Sequence, residues 1–328
     1  MRKMTTLTAL ACTLVVLAGA ARAEDKTLAV VVKGLDNPFF DLIRQGCEKA
    51  QAELKGGYKC YYTGPASTSD EAGEVQIIDD LLTKGVAAMA ISPSNAPAVA
   101  NVLRRRNPAI PVMTIDADLL AQDHALRRTY LGTDNYLLGV KLGENLKKLK
   151  PGGGTLCLVL GNVAADNINQ RAAGTRDTLA GKKGVQRLNG ENGWKEISGC
   201  PLFTNDDAAK GNQMMADVLT ANKNLDAFVL EGGWPQFAPQ AYAQLTDQYK
   251  DRIKSKQLAL VVADTLPPQI DALKQGRSAV QVGQRPFEMG YRAPFVMKDM
   301  VEGKKVEPIY YTGLDECTPD NVDTCLKK

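Results

Sequence analysis

The order of apolar runs along the chain is the feature that most restricts its fold. Short continuous runs of Val, Ile, Leu and Ala, bounded by turn residues, alternate with segments of helical period. This alternation is typical of βαβ units, in which parallel strands are covered by helices on both faces. The predicted strands are Thr27–Lys33, Tyr58–Gly64, Val86–Ser92, Pro111–Asp116, Arg128–Thr133, Thr155–Gly161, Glu196–Phe203, Ala227–Gly233, Ala259–Asp264 and Ala279–Gln284. Helical patterns between them include Glu74–Leu82, Asn135–Leu149, Asn169–Leu179, Ala208–Thr220, Gln240–Tyr249, Pro268–Gln275 and Phe287–Val301.

This number of strands is more than one compact sheet usually carries. We therefore predict an α/β fold of two doubly wound parallel-sheet domains. In open parallel sheets, ligands bind beyond the carboxyl ends of the strands, where loops lead into helix N termini. The polar or aromatic residues at those ends are the first candidates for a site: Lys33, Asp36, Asn37, Ser92, Asp116, Asn162, Asp206, Trp234, Asp264 and Gln284. Two domains with facing sets of this kind make a cleft.

Residues 1–23 have the pattern of a secretory signal peptide. Two basic residues precede an apolar segment, Leu7–Ala18, and Ala21-Arg22-Ala23 offers small residues at the two positions that a signal peptidase reads. We expect cleavage after Ala23 and a periplasmic protein. The alternative is a retained membrane anchor, which needs roughly 20 apolar residues.

The charge of the remaining chain is balanced. The first 23 residues carry three of the 40 basic residues and none of the 37 acidic ones, which leaves 37 of each sign. A net charge near zero, with both signs mixed along the chain, does not indicate a basic surface that would bind nucleic acid or an anionic membrane. We therefore predict no nucleic-acid partner and, since no second long apolar run follows, a soluble mature protein.

Six cysteines follow the signal segment. They are Cys47, Cys60, Cys157, Cys200, Cys317 and Cys325. An even number in an exported chain favours disulfides, and six cysteines allow 15 pairings. Pairing of nearest neighbours is our prediction, with Cys317 and Cys325 foremost because the tail is loop-like. For Cys157, which lies inside an apolar strand, a buried free thiol remains open. The absence of any CxxC spacing argues against a zinc site.

The residues that most enzymes need are missing from the sequence. The single histidine, His124, lies in a polar stretch away from any strand end, which removes most nucleophile–histidine arrangements. No Gly-x-Ser-x-Gly or Walker sequence occurs, and the first strand is not followed by Gly-x-Gly-x-x-Gly. The run Gly152-Gly153-Gly154 precedes a strand and is therefore a turn rather than a phosphate cradle. We predict a protein that is not an enzyme and has no cofactor or metal site.

Seven motifs in one order give the chain a resemblance to a known family. They are Asp36–Phe40, Gly85–Pro93, Ile110–Asp116, Thr133–Asn135, Asn169–Gly174, Val261–Asp264 and Val282–Pro286. In this order they resemble type I periplasmic sugar-binding proteins of ABC importers, the ribose-binding branch above all, over essentially the whole mature chain. The resemblance implies a non-enzymatic protein that closes two domains around a sugar and docks on a membrane permease.

The resemblance also implies a set of ligand-binding residues, each of which has a physical rationale. They are Asn37, Phe39, Phe40, Asp116, Arg171, Asp264 and Gln284. Aromatic faces stack on the C–H face of a sugar ring, and planar polar groups match vicinal hydroxyls. Alternatives remain open for two of them: Asp116 could be paired structurally, and Arg171 could form a surface ion pair with Asp166 or Asp177. Asn37 is also placed to cap a helix, with Pro38 as the first helical residue.

The chain departs from the family pattern at three positions. Ala117 stands where arginine usually follows the aspartate, Glu231 stands where asparagine often ends a strand, and Asp206 stands near a second-domain aromatic. We hypothesise that Trp234 restores the missing stacking surface and is a ligand residue. These departures favour a pentitol, a hexitol or an aldose other than ribose, so the expected ligand is a small uncharged carbohydrate.

The predicted domains are joined by a hinge of three strands, near Thr133, Gln284 and Tyr310–Leu314. Their expected bounds are 24–132 plus 285–312 and 133–284 plus 313–328. Two other functions are open for an exported chain of this kind. One is a ligand-binding subunit for chemotaxis or quorum-type signalling, and the other, more remote, is an exported α/β hydrolase. A sugar-responsive transcription regulator needs an N-terminal helix-turn-helix where this chain has its signal segment.

Overall fold

The computed structural model describes residues 26–327; the predicted signal peptide lies outside the described residues. The strands are β1 Lys26–Val31, β2 Tyr58–Thr63, β3 Ala88–Ile91, β4 Val112–Ile115, β5 Tyr130–Thr133, β6 Gly154–Leu160, β7 Trp194–Glu196, β8 Leu202–Phe203, β9 Ala227–Leu230, β10 Ala259–Ala263, β11 Val280–Gly283, β12 Ile309–Thr312 and β13 Asp315–Cys317. The helices are α1 Pro38–Glu53, α2 Glu71–Lys84, α3 Ala96–Arg106, α4 Asn135–Leu149, α5 Asp166–Ala180, α6 Ala208–Ala221, α7 Pro239–Asp247, α8 Lys250–Lys254, α9 Pro267–Lys274 and α10 Pro286–Val301. Short 3-10 turns occupy Ala121–Leu126, Glu191–Gly193 and Trp234–Phe237.

The strands form two separate sheets. The first has the order β12-β5-β4-β3-β1-β2, and all its pairs are parallel. The second has the order β13-β11-β10-β9-β6-β7, with β8 also paired to β6. Its last strand, β13, runs antiparallel to β11, so this sheet is parallel except at one edge. The prediction of two doubly wound sheets is confirmed.

Both faces of each sheet are buried, which explains why the strands are continuously apolar. In β1, Leu28 and Val30 pack into one core, while Ala29 and Val31 pack into the core on the other face. In β6, Leu158 and Val159 divide in the same way between the two cores of the second sheet. Alternation of side chains along a strand sends neighbours to opposite faces, so helices on both sides require apolar residues at every position.

The chain passes between the sheets at three places. These are the links from β5 to α4, from β11 to α10 and from β12 to β13, at the three places predicted for the hinge. The hydroxyl of Thr133 donates a 2.9 Å hydrogen bond to Oε1 of Gln284, which joins the first two crossings. The domain bounds 24–132 plus 285–312 and 133–284 plus 313–328 remain a proposal.

The predicted strand Glu196–Phe203 is wrong as a single element. The structure divides it into β7 and β8, which pair with different parts of β6. Gly199, with φ of 80°, and the cis bond before Pro201 lie between them. A left-handed glycine and a residue without an amide donor cannot continue a ladder, so the chain leaves the sheet and returns.

The three disulfides follow the prediction of nearest-neighbour pairing. Cys47 pairs with Cys60, and Cys317 pairs with Cys325 in the tail. Cys157, whose state was left open, pairs with Cys200 and ties β6 to the segment before β8. Among residues 26–327, no helix has the length and apolar character needed to cross a membrane.

Candidate functional site

A cavity lies between the two sheets, beyond the carboxyl ends of their strands. It offers about 320 Å³ of space free of protein atoms, counting the part open to solvent. Its lining is Lys33, Asn37, Phe39, Phe40, Asp116, Asn167, Ile168, Arg171, Asp206, Trp234, Phe237, Asp264 and Gln284. All eight residues predicted from the sequence as ligand contacts are among them. The structure thus brings the whole predicted set to one place.

The first wall of the cavity is built at the start of α1. The Asn37 side chain caps this helix by accepting a 3.0 Å hydrogen bond from the amide of Phe39, and Pro38 is the first helical residue. Phe39 and Phe40 are both buried and meet edge to face, with ring centroids 5.4 Å apart. Both rings line the cavity as well as the core. The cap and the aromatic surface therefore come from one helical turn.

Asp116, at the end of β4, is both paired and aimed at the cavity. Its Oδ2 accepts a 2.7 Å hydrogen bond from the hydroxyl of Ser92 and lies 3.8 Å from Nζ of Lys33. The Lys33 side chain is only 4% exposed and donates a 3.2 Å hydrogen bond to Oδ1 of Asn167 on the opposite wall. A lysine thus connects the two sides of the cavity.

Arg171, in α5, is the main cation of the second wall. It is 2% exposed, so the alternative of a surface ion pair with Asp166 or Asp177 is excluded. Its Nε donates to Oδ1 of Asn135 at 2.8 Å, and its Nη1 donates to the carbonyl of Glu231 at 2.7 Å. Neutral acceptors thus hold the guanidinium in place, and its charge remains available to the cavity.

Asp264 and Gln284 end adjacent strands and are joined by a hydrogen bond. Nε2 of Gln284 donates to Oδ1 of Asp264 at 2.7 Å, and the amide of Gly233 donates to Oδ2 at 3.3 Å. Burial raises the pKa of the Asp264 carboxyl, while the positive charge of Arg171 opposes the shift. The carboxylate is therefore oriented by the protein before any ligand arrives.

Trp234 supplies an aromatic surface to the second wall. Its indole lies directly against the backbone of Gly161 and Gly232, where an added Cβ would come within 2.9 Å and 2.4 Å of the ring. These two glycines let the ring lie flat beside the cavity. Phe237, in the same 3-10 turn, packs against the core of both sheets. Trp234 thus lines the cavity, and its contact with a ligand stays a prediction.

Five lining residues were not among the predicted contacts. Lys33 and Asp206 appeared as polar residues at strand ends, and that signal alone could have found them. Asn167 and Ile168 were missed because the predicted helix began at Asn169, whereas α5 begins at Asp166. The residue before α5 is Ala165, which makes no side-chain cap, so the start of the helix has no signature in the sequence.

Direct contacts close the cleft on the side away from the hinge. The Glu71 carboxylate in α2 accepts a hydrogen bond from Asn95 at 2.6 Å and another from Nδ2 of Asn162, which follows β6. The amide of Ala96 donates to the carbonyl of Ala164 at 3.4 Å. One carboxylate thus binds amides from both sides of the cleft and holds the two sides together in this structure.

The lining favours hydrogen bonding and stacking over bond-making chemistry. Within residues 26–327, the cavity is lined by no serine, cysteine or histidine, and no group of His, Cys, Asp or Glu could hold a metal ion. It combines four aromatic rings with two cations, three carboxylates and three amides. Such a lining matches a ligand with apolar C–H faces and several hydroxyls.

Comparisons with known proteins cover nearly all of the described chain. The family model for the periplasmic binding protein domain matches residues 28–305. The ribose import binding protein RbsB of Salmonella typhimurium is 26% identical over 318 residues, which cover 94% of this chain and 96% of that protein. An ABC transporter solute-binding protein of Burkholderia graminis, solved in complex with D-arabinose, superposes with a TM-score of 0.78 at 28% identity, covering 92% of this chain and 98% of the other. A solute-binding protein of Agrobacterium vitis with bound D-fucose gives a TM-score of 0.79 at 20% identity over 91% and 97% of the two chains, which concerns the fold alone.

Proposed function

The chain belongs to the periplasmic binding protein domain family, whose model covers residues 28–305, and from this premise we propose that it is the solute-binding protein of a carbohydrate ABC importer. It captures a neutral monosaccharide or sugar alcohol in the cavity and delivers it to a membrane permease. The observation that carries the proposal is the convergence of aromatic rings and planar polar groups from both sheets on one cavity. The ribose and D-arabinose named for two relatives support the same ligand class.

The charges of the cavity argue for a neutral ligand. Lys33 and Arg171 face Asp116, Asp206 and Asp264, and Lys33 already forms an ion pair with Asp116. An anionic ligand would meet three carboxylates, whereas a cationic ligand would meet two buried cations. Hydroxyl groups can donate to the carboxylates and accept from the cations, so a polyhydroxylated neutral molecule satisfies both sets.

Ligand binding and closure are coupled because the lining is shared between the two walls. Lys33, Asn37, the Phe39–Phe40 pair and Asp116 lie on the side of the first sheet. The remaining contacts lie on the side of the second sheet or at the hinge. A ligand that touches both walls favours the closed form, since an equilibrium shifts only toward the state that the ligand binds better.

Export and delivery complete the proposal. The signal segment 1–23 directs the chain to the periplasm, and its disulfides suit an oxidising compartment. The closed form then docks on the permease. A deletion strain tested for uptake of the sugar and for chemotaxis toward it separates import from the signalling role.

Thermal unfolding of residues 24–328, stripped of ligand, tests the proposal. The panel is D-ribose, D-arabinose, D-allose, D-fucose and myo-inositol, with pentitols, hexitols and amino acids added. A ligand at about 100 times its Kd adds roughly 2.7 kcal/mol to the free energy of unfolding, which raises the Tm by several degrees. A shift with one carbohydrate supports the function. A shift only with an amino acid, or none at all, would overturn it.

A further inference from the structure

Three aspartates of the cavity share an uncommon backbone conformation. Asp116, Asp206 and Asp264 have φ of 64°, 62° and 75°, and no other aspartate in residues 26–327 has a positive φ. Asp116 and Asp264 directly follow β4 and β10, Asp206 lies in the turn after β8, and all three line the cavity. Residues other than glycine adopt this region at a cost that persists where the surrounding structure requires it, often at binding sites. Two of the three were predicted as ligand contacts; Asp206 was not.

A set of backbone hydrogen bonds fixes the turn that carries Asp206. The amide of Thr204 donates to the carbonyl of Leu160 at 2.9 Å, and the amide of Asn205 donates to Gly161 at 3.3 Å. The amide of Asp206 itself donates to the hydroxyl of Thr204 at 3.2 Å. The position of this aspartate is therefore set by β6 and does not depend on its own side chain.

The Asp206 carboxylate differs from the other two in what it binds. Asp116 accepts from Ser92, and Asp264 accepts from Gln284. Oδ1 of Asp206 is buried and has no hydrogen-bond partner, while the backbone amide of Asn162 acts on the same carboxylate group. It lies so close to Gly161 that an added Cβ there would be 1.9 Å away, and the Trp234 ring lies against the same glycine. A buried acceptor without a donor costs stability unless a ligand supplies the donor.

We propose that Asp206 is a specificity-determining ligand residue, whose carboxylate accepts a hydrogen bond from one hydroxyl of the bound carbohydrate. The inference rests on the proposed function and deepens it. Asp206 also lines a second pocket, which adjoins the cavity at Asn37 and Phe237. The hydroxyl that it selects therefore lies at the end of the ligand that faces this second pocket. Burial raises the pKa of the Asp206 carboxyl to about 6, while the positive charges of Lys33 and Arg171 oppose the shift.

The test compares D206A and D206N with D207N as the matched control. Asp207 is exposed and caps α6 through Lys210, a role that asparagine fills equally well. Binding of the five panel sugars, and of deoxy analogues of those that bind, is measured by calorimetry. We expect D206A to lose about 10- to 100-fold in affinity, D206N to lose less, and D207N to bind as the wild type does. One deoxy analogue should bind wild type and D206A equally, which identifies the hydroxyl.

The Tm of the unliganded proteins is a second measurement. If Asp206 had a structural role, its replacement by asparagine would lower this Tm. Asparagine tolerates a left-handed backbone, and D206N removes a buried charge, so its unliganded Tm should equal or exceed that of the wild type. If D206A bound every ligand sugar with the affinity of the wild type, the inference would be overturned and the proposed function would stand. A lower Tm for unliganded D206N would also overturn the inference. No binding of any carbohydrate by the wild type would overturn the proposed function as well.

Discussion

Gln284 donates a hydrogen bond of 2.7 Å from Nε2 to Oδ1 of Asp264. The other end of the same amide accepts from the hydroxyl of Thr133. Thr133 and Gln284 lie where the chain crosses between the sheets, so a single side chain connects two hinge crossings to a carboxylate of the cavity. The orientation of Asp264 and the geometry of the hinge therefore depend on one group.

Replacing this amide by a carboxylate should weaken ligand binding. In Q284E the donor is lost and two carboxylates face each other within hydrogen-bond distance. We expect the Kd to rise about tenfold or more, because the pair is buried and a hydrogen bond to a charged group is lost. Calorimetry with the preferred sugar checks this, with the exposed Gln275→Glu as the control. Equal affinities for the two variants would contradict a role for Gln284 in orienting Asp264.

The guanidinium of Arg171 should not be replaceable by an ammonium. Its Nε and Nη1 occupy fixed acceptors, which leaves its remaining donors for the ligand. In R171K one point charge must replace a planar fork, so we expect a loss of affinity of about tenfold or more. The control variant is Arg128→Lys, at an exposed position. Retained affinity in R171K would show that charge alone is needed at this position.

The contact between Asn162 and Glu71 should affect the affinity for every sugar without changing the order in which the sugars are preferred. It joins the two sides of the cleft, and neither residue lines the cavity. In N162A the closed form loses this contact, so the Kd for every sugar should rise by a similar factor while their order is kept. Titration of two sugars against N162A and the exposed control N101A measures the factor. A change in the order of the two sugars would place Asn162 among the specificity residues instead.

The stability of the protein should depend on pH through Glu231. This residue is fully buried, and burial raises the pKa of its carboxyl from 4.5 to about 8, while the hydroxyl of Thr175 and the charges of Arg171 and Arg176 oppose the shift. The folded protein thus holds a proton that the unfolded chain releases. The stability from this proton is full below pH 4.5 and is lost as the pH rises through about 8.

The variant E231Q is neutral at every pH and should remove this dependence. We expect its Tm to exceed that of the wild type at pH 9 by a few degrees, and the difference to shrink toward pH 5. Calorimetric scans between pH 5 and pH 9 measure it, with exposed Glu307→Gln as the control. A difference that stays constant with pH would mean that Glu231 does not titrate in this range.

The disulfides should differ in how much they stabilise the fold. The Cys157–Cys200 bond closes a loop of 43 residues and the Cys317–Cys325 bond closes one of 8. The chain-entropy relation gives about 4 kcal/mol for the first and about 2.5 kcal/mol for the second. Denaturant unfolding of the two double alanine variants measures both values. A larger loss from the tail disulfide would reverse the expected order.

The sequence predicted the architecture well because apolar runs carry a clear signal when both faces of a sheet are buried. It failed between residues 196 and 203, where Leu202 and Phe203 belong to a different strand from Glu196. The strand propensity of a short segment cannot show that a left-handed glycine takes the chain out of the sheet. The tail strand β13 was also not predicted as a strand, since its sequence, Asp315–Cys317, lacks an apolar run.

The site was predicted where a residue ends a strand and matches a family motif, as Asp264 and Gln284 do. The prediction missed lining residues that reach the cavity only through the tertiary packing of the chain. Phe237 reaches it from a 3-10 turn whose place depends on packing between the two cores, and no local pattern indicates that. Asp206 was among the polar residues expected at strand ends but not among the predicted contacts, and it reaches the cavity from the turn after β8 rather than directly from a strand end as Asp116 does.

The left-handed backbone at Asp116, Asp206 and Asp264 limits what these positions can become. Glycine adopts this conformation freely and asparagine and aspartate at a small cost, whereas for branched and bulky side chains the cost is larger. An exchange of aspartate for asparagine adds a donor without moving the chain, and glycine removes the group altogether. Substitutions among aspartate, asparagine and glycine at these three positions can therefore change the sugar preference by one hydrogen bond at a time. Such substitutions leave the hydrophobic core unchanged.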